Sequence, residues 1–154
     1  MKNTALVTVI ALYASLACAE TGLLLSGVGL TYGDPLSASV YGELMYRLVE
    51  VDKASPECDG GHGPVLVAEA GLGGGLIGLG YGYKGMTIHQ GGPGVSLVAS
   101  LVRPWGDPVS DIEGDTYWGP ELRVSITPFF GKIGYLRSTS GDDDLISFAI
   151  GVGL

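Results

Sequence analysis

Seven ionisable side chains fall on one phase of a repeating two-residue pattern: Glu43, Arg47, Glu69, Lys84, Glu121, Arg123 and Lys132. Three acids and four bases placed this way suit one of two kinds of chemistry. Packed together away from water they form a plug of ion pairs, because a buried charge without an opposite partner is strongly unfavourable. Lining a narrow aqueous conduit, the same groups select a small solute by charge. A small barrel is just wide enough inside for side chains to fill, which favours the plug.

A second set is purely acidic. Asp107, Asp111, Glu113 and Asp115 lie between the fifth and sixth expected strands, and Asp142, Asp143 and Asp144 between the last two, so both groups emerge at one end. Carboxylate oxygens suit Ca²⁺ or Mg²⁺, or an extracellular cationic partner. No EF-hand spacing is present, and solvated loops are the default for such charge runs. Glu57, Cys58, Asp59 and His62 offer thiolate, carboxylate and imidazole within six residues. A single Cys-x-x-x-His pair supplies two firm ligands where a closed zinc site needs four, so no metal site is assigned. Gly73-Gly74-Gly75-Leu76-Ile77-Gly78 matches GxGxxG. It lacks the following helix whose N-terminus would hold a phosphate, and reads as a hairpin turn. His62 and His89 fall in connections without a nucleophile motif, so no catalytic residue and no cofactor is assigned, and a non-enzymatic role is expected.

The elements that must position these groups are strands. Large apolar residues alternate with Gly, Ser, Ala or charge, most clearly where Ile146, Phe148, Ile150, Val152 and Leu154 interleave with Ser147, Ala149, Gly151 and Gly153. Successive side chains of a strand point to opposite faces, so each segment has one greasy face and one small or polar face. The pattern predicts strands over 23–33, 36–48, 64–73, 76–86, 94–103, 116–127 and 129–138, with an eighth running to Leu154. Leu24, Leu36 and Leu72 are expected on the greasy face, and the glycines at 27, 29, 78, 80 and 82 on the other, leaving space for water. Gly is a poor choice for a solvated strand surface and a good one for a crowded lumen, so the greasy face is expected to look outward, toward lipid. Tyr46, Tyr81, Tyr83, Trp118, Phe129 and Tyr135 are candidates for aromatic belts.

Residues 1–19 carry Lys2, an apolar run from Ala5 to Leu16 and the small Ala17-Cys18-Ala19 before Glu20, which fits a secretory signal peptide. Acylation of Cys18 is the rival use of this segment. Residues 20–154 then form one domain. With 27 glycines a helical bundle is disfavoured, since each interior Gly costs a helix about 1 kcal/mol. The formal charge of −8 disfavours nucleic acid, for want of a basic stripe. Loss of Cys18 leaves Cys58 without an internal disulfide partner.

Over residues 22–154 this architecture resembles the small eight-stranded outer-membrane barrels, the OmpX-like and OmpA transmembrane-domain class; the usual terminal aromatic is Leu154 here. The resemblance implies an all-β, closed antiparallel transmembrane barrel of the Gram-negative outer membrane, monomeric, with membrane lipid as its surroundings. A plugged, non-enzymatic structural or surface-interaction protein is the expected function. Two alternatives stand beside it: a narrow channel or carrier for a small solute, and a soluble exported barrel holding a lipid-like ligand with the apolar phase inward.

Overall fold

The computed structural model describes residues 22–48, 60–86, 91–105, 115–141 and 144–153. The expected signal peptide, Glu57, Cys58, Asp59, His89, Leu154 and five of the acidic loop residues (Asp107, Asp111, Glu113, Asp142 and Asp143) lie outside them. Eight strands follow in chain order: β1 Gly22–Asp34, β2 Ser37–Arg47, β3 Gly61–Gly71, β4 Gly74–Met86, β5 Gly91–Pro104, β6 Tyr117–Ile126, β7 Phe129–Ser138 and β8 Asp144–Gly153. Each pairs antiparallel with the next, and β8 closes on β1. Among the described residues closure leaves no edge strand, and each strand is laddered to two neighbours, β1 to β8 over Gly29–Asp34.

An even strand number puts Gly22 and Gly153 at one end of the barrel, here the terminal end. The β1–β2, β3–β4, β5–β6 and β7–β8 connections lie at the other, the hairpin end. The strands are strongly staggered. Stepping from Gly33 through Ala149, Lys132, Arg123, Ser96, Gly82 and Gly63, then over the β3–β2 ladder to Arg47 and Gly22, returns to β1 at its opposite end. Such a stagger requires tilted strands and brings residues from distant rungs of the ladder to one height in the lumen.

The alternation holds on every strand, with three departures from the sequence-based expectation. At the β1 bulge between Leu25 and Gly27 the phase slips by one: Leu23 is exposed, and Ser26 and Gly27 are both buried. The side chain of Leu24 lies outside the described set. Leu36 does not face outward; it sits in the β1–β2 turn, 2 % exposed. Ser37, at φ 58°, breaks the extended geometry beside it, so both side chains turn into the lumen. Third, β3 and β5 begin earlier than expected, and His62 belongs to β3 rather than to a connection. Gly74 and Gly75 are strand residues too, leaving Leu72 and Gly73 as the β3–β4 turn. Pro120, which has no N–H, interrupts the β6–β7 ladder between Trp118↔Arg137 and Glu121↔Gly134.

Candidate functional site in the barrel lumen

The interior is layered along the barrel axis. At the hairpin end, Leu36, Leu76, Val102, Tyr117, Leu136 and Leu145 form an apolar cap, all within a few residues of their strand ends and part of one buried cluster with Met45, Val65, Val67 and Val98. Backbone bonds brace this end: Gly73 N–H donates to Leu36 O at 3.1 Å and Trp105 N–H to Gly73 O at 3.0 Å.

Below the cap all seven expected lumen charges are buried, at 8 % exposure or less. Four of them join directly. Glu69 Oε2 accepts from Arg123 Nη2 at 3.0 Å and from Lys132 Nζ at 2.6 Å, and Lys132 Nζ lies 3.5 Å from Glu121 Oε1. The carboxylates use their remaining capacity on hydroxyls. Thr31 and Ser39 donate to Glu69 Oε1 at 2.8 and 2.6 Å, Ser147 donates to Glu121 Oε1 at 3.2 Å, and Ser100 to Glu121 Oε2. Excellent geometry and extra hydrogen bonds are what a buried ion pair needs to offset its desolvation. The Thr and Ser residues on the inward phase, unremarkable in the sequence, are thus members of the network. Their signal was only that they share the parity of the charges.

Toward the terminal end the lumen changes character. The Tyr41 and Phe130 rings stack with centroids 4.6 Å apart, and the Arg123 guanidinium lies 5.3 Å from the Phe130 centroid. Glu43 accepts from Ser26 at 2.8 Å, so the bulge residue serves as a hydroxyl partner. Lys84 Nζ donates to Ser125 Oγ at 3.2 Å. Glu43, Lys84, Ser96, Arg123, Ser125 and Phe130 line a cavity of about 10 Å³, room for one water-sized particle.

Of the five glycines expected to leave space for water, Gly27 lines the water-sized cavity, whereas Gly29, Gly78, Gly80 and Gly82 do not leave open space. A Cβ on Gly80 would stand 2.0 Å from Leu97 O, and one on Gly78 2.5 Å from Val98 Cγ1. These glycines let neighbouring strands and side chains close in, and Gly29 and Gly82 do the same against Tyr41 and Ser96.

Of the acidic loop set, Asp115 and Asp144 are described, and each is used structurally. Asp115 Oδ2 accepts from Ser138 and, at 2.5 Å, from Ser140, while its Oδ1 accepts from Thr116 N–H at 3.0 Å. The hydrogen bond from Ser138, then that from Ser140, holds the Asp115 carboxyl below the usual aspartate range. Asp144 accepts from the Tyr135 hydroxyl. His62 faces outward, its Nδ1 2.6 Å from Tyr81 Oη. Among the described residues, no group of three or more His, Cys, Asp or Glu side chains is arranged to hold a metal ion. The chain matches no family model, no curated protein and no solved structure.

Proposed function

We propose that this chain is an integral outer-membrane protein of a Gram-negative cell, exported by its N-terminal segment, with a lumen closed by side chains and a non-enzymatic role in envelope structure or surface contact. The observation that carries the reading is the inverted polarity of the barrel. Ionisable groups fill the inside, while the outward phase of all eight strands exposes Leu, Ile, Val, Phe, Tyr and Trp. Exposed charged or imidazole side chains on the strands, His62, Arg103, Arg137 and Asp144, sit at strand ends. Soluble monomers rarely expose contiguous apolar patches beyond a few hundred Å². The arrangement with the apolar phase inward, which a soluble carrier would need, is not the one folded here.

Aromatic residues support the same reading. Trp118 and Tyr135 stand exposed near the hairpin end with Tyr32, and Tyr46, Tyr83 and Phe129 near the terminal end. Their amphipathic rings suit the two water boundaries of a bilayer. Strands of 10 to 14 residues span a hydrocarbon core when tilted.

Expression of the full chain in a Gram-negative host, followed by carbonate washing and membrane fractionation, is the test. A heat-modifiable band in the outer-membrane fraction is expected; recovery as folded soluble periplasmic protein would overturn the proposal. For the inserted protein, the apolar cap and ion-pair layer predict silent planar bilayers. Discrete current steps would replace the plug with the narrow-channel alternative.

A further inference from the structure

Glu43 and Lys84 line one cavity without touching. Each is buried, at 8 % and 6 % exposure, and among the described residues no direct ion pair joins them. Glu43 Oε1 accepts from Ser26 at 2.8 Å, and Lys84 Nζ donates to Ser125 Oγ at 3.2 Å. A carboxylate has room for about four hydrogen bonds and an ammonium for about three, so these contacts leave capacity on both groups. The cavity, of about 10 Å³, is lined by the two side chains together with Ser96, Ser125 and Arg123. Arg123, 1 % exposed, gives Nη2 to Glu69, while its Nε and Nη1 are buried without an acceptor among the described residues.

We propose that this cavity is the binding site of one structural water molecule that bridges Glu43 to Lys84. The water donates to the Glu43 carboxylate and accepts from the Lys84 ammonium, with the Ser96 hydroxyl and the Arg123 guanidinium in the wall as further partners. Buried waters typically make about three such bonds. The wall decides against an ion: a cation would meet Lys84 and Arg123, and an anion would meet Glu43. Water answers both signs, as donor and as acceptor, and the volume holds one such molecule. Glu43 and Lys84 then form a solvent-bridged pair, unlike the direct contact of Glu69 with Lys132. The inference rests on the barrel interior alone and holds whichever medium surrounds the outer face.

The test is made on the full chain folded in detergent micelles. High-resolution crystals of the wild-type protein should show a single water peak within hydrogen-bond distance of both the Glu43 carboxylate and the Lys84 ammonium. Oxygen-17 magnetic relaxation dispersion, which counts waters held longer than the particle takes to tumble, gives a second readout in solution. Lys84→Met keeps an apolar stem of similar length and removes the donor; once shown to be folded by its heat-modifiable mobility, it should lose the dispersion amplitude of one water. Crystals in which Lys84 meets Glu43 directly with no peak between them, or equal dispersion amplitudes for folded Lys84→Met and wild type, would overturn the proposal. The wild-type crystal decides the matter by itself if the variant does not fold.

Discussion

Lys132 Nζ lies 2.6 Å from Glu69 Oε2 and so ties β7 to β3 across the lumen, although those two strands share no ladder. Glu69 also takes Arg123, which makes it the common anion for two buried cations. Its removal therefore strands more charge than it deletes. Glu69→Ala is expected to destabilise the barrel by about 3–5 kcal/mol, the cost of leaving buried charges unpaired. Glu69→Leu combined with Lys132→Met, Arg123→Met and Glu121→Gln, which neutralises the Lys132 partner as well, should recover most of that loss, since a whole buried ion network replaced by uncharged side chains is often neutral. Urea titration of folded protein, followed by heat-modifiable gel mobility, measures both. A Glu69→Ala variant as stable as wild type would mean the network contributes nothing.

Leu79, 64 % exposed in mid-β4, distinguishes the two possible surroundings of the outer face. Within a hydrocarbon core, Leu79→Arg costs about 2–4 kcal/mol and slows insertion into phospholipid vesicles. On a solvated face the same change is within about 0.5 kcal/mol of neutral, as for other surface substitutions. Folding yields in vesicles, compared with those of Arg137→Leu at a strand end, report which medium the residue meets. Equal yields for Leu79→Arg and wild type would argue against a lipid-facing belt.

The two-residue rhythm makes most of the fold legible in the sequence itself. The expected β7 span of 129–138 is the observed one, and all seven inward charges lie in the lumen. Departures occur where one residue changes the parity or where composition misleads. Ser26 is one extra residue in β1, which a period-two count cannot see until its register with β2 is known. Gly61, Gly63, Gly91, Gly92 and Pro93 have the composition of a turn, yet closure of the barrel draws them into paired strands. Which charges would meet was not readable either. Arg123 and Glu69 are 54 residues apart, and only the stagger of the strands sets them at one height.

Glycines of the two faces should respond differently to alanine. At Gly80 the new Cβ meets backbone, Leu97 O at 2.0 Å, so the strands must part and Gly80→Ala is expected to cost about 1–3 kcal/mol. At Gly131 the nearest atom to a Cβ is Ala149 O at 3.9 Å, an ordinary contact. Gly131→Ala should therefore be neutral or stabilising by about 0.4–1 kcal/mol, through the reduced freedom of the unfolded chain. Unfolding midpoints of the two variants, with m-values compared to confirm a common transition, test the pair. Equal effects would mean that strand propensity, not close approach, selects glycine at Gly80.

Asp115 gives the hairpin end a pH dependence whose sign follows from its partners. Its carboxyl is held below the ordinary aspartate range by hydrogen bonds, first from Ser138 and then from Ser140. Ser138 Oγ in turn accepts from Ser140 N–H at 3.0 Å and Gly141 N–H at 3.3 Å. Because the folded-state value is depressed, the stabilisation is fully present above the unfolded aspartate value of about 3.9 and is lost as pH falls through the lower folded value. Acidification should therefore speed amide exchange at Ser140 and Gly141 beyond the intrinsic trend, while the mid-strand amides of β7 remain protected. Asp115→Asn should abolish that extra pH dependence and raise exchange at neutral pH, since an amide oxygen accepts these hydroxyls more weakly than a carboxylate. Identical pH profiles in wild type and Asp115→Asn would remove Asp115 as the anchor of this turn.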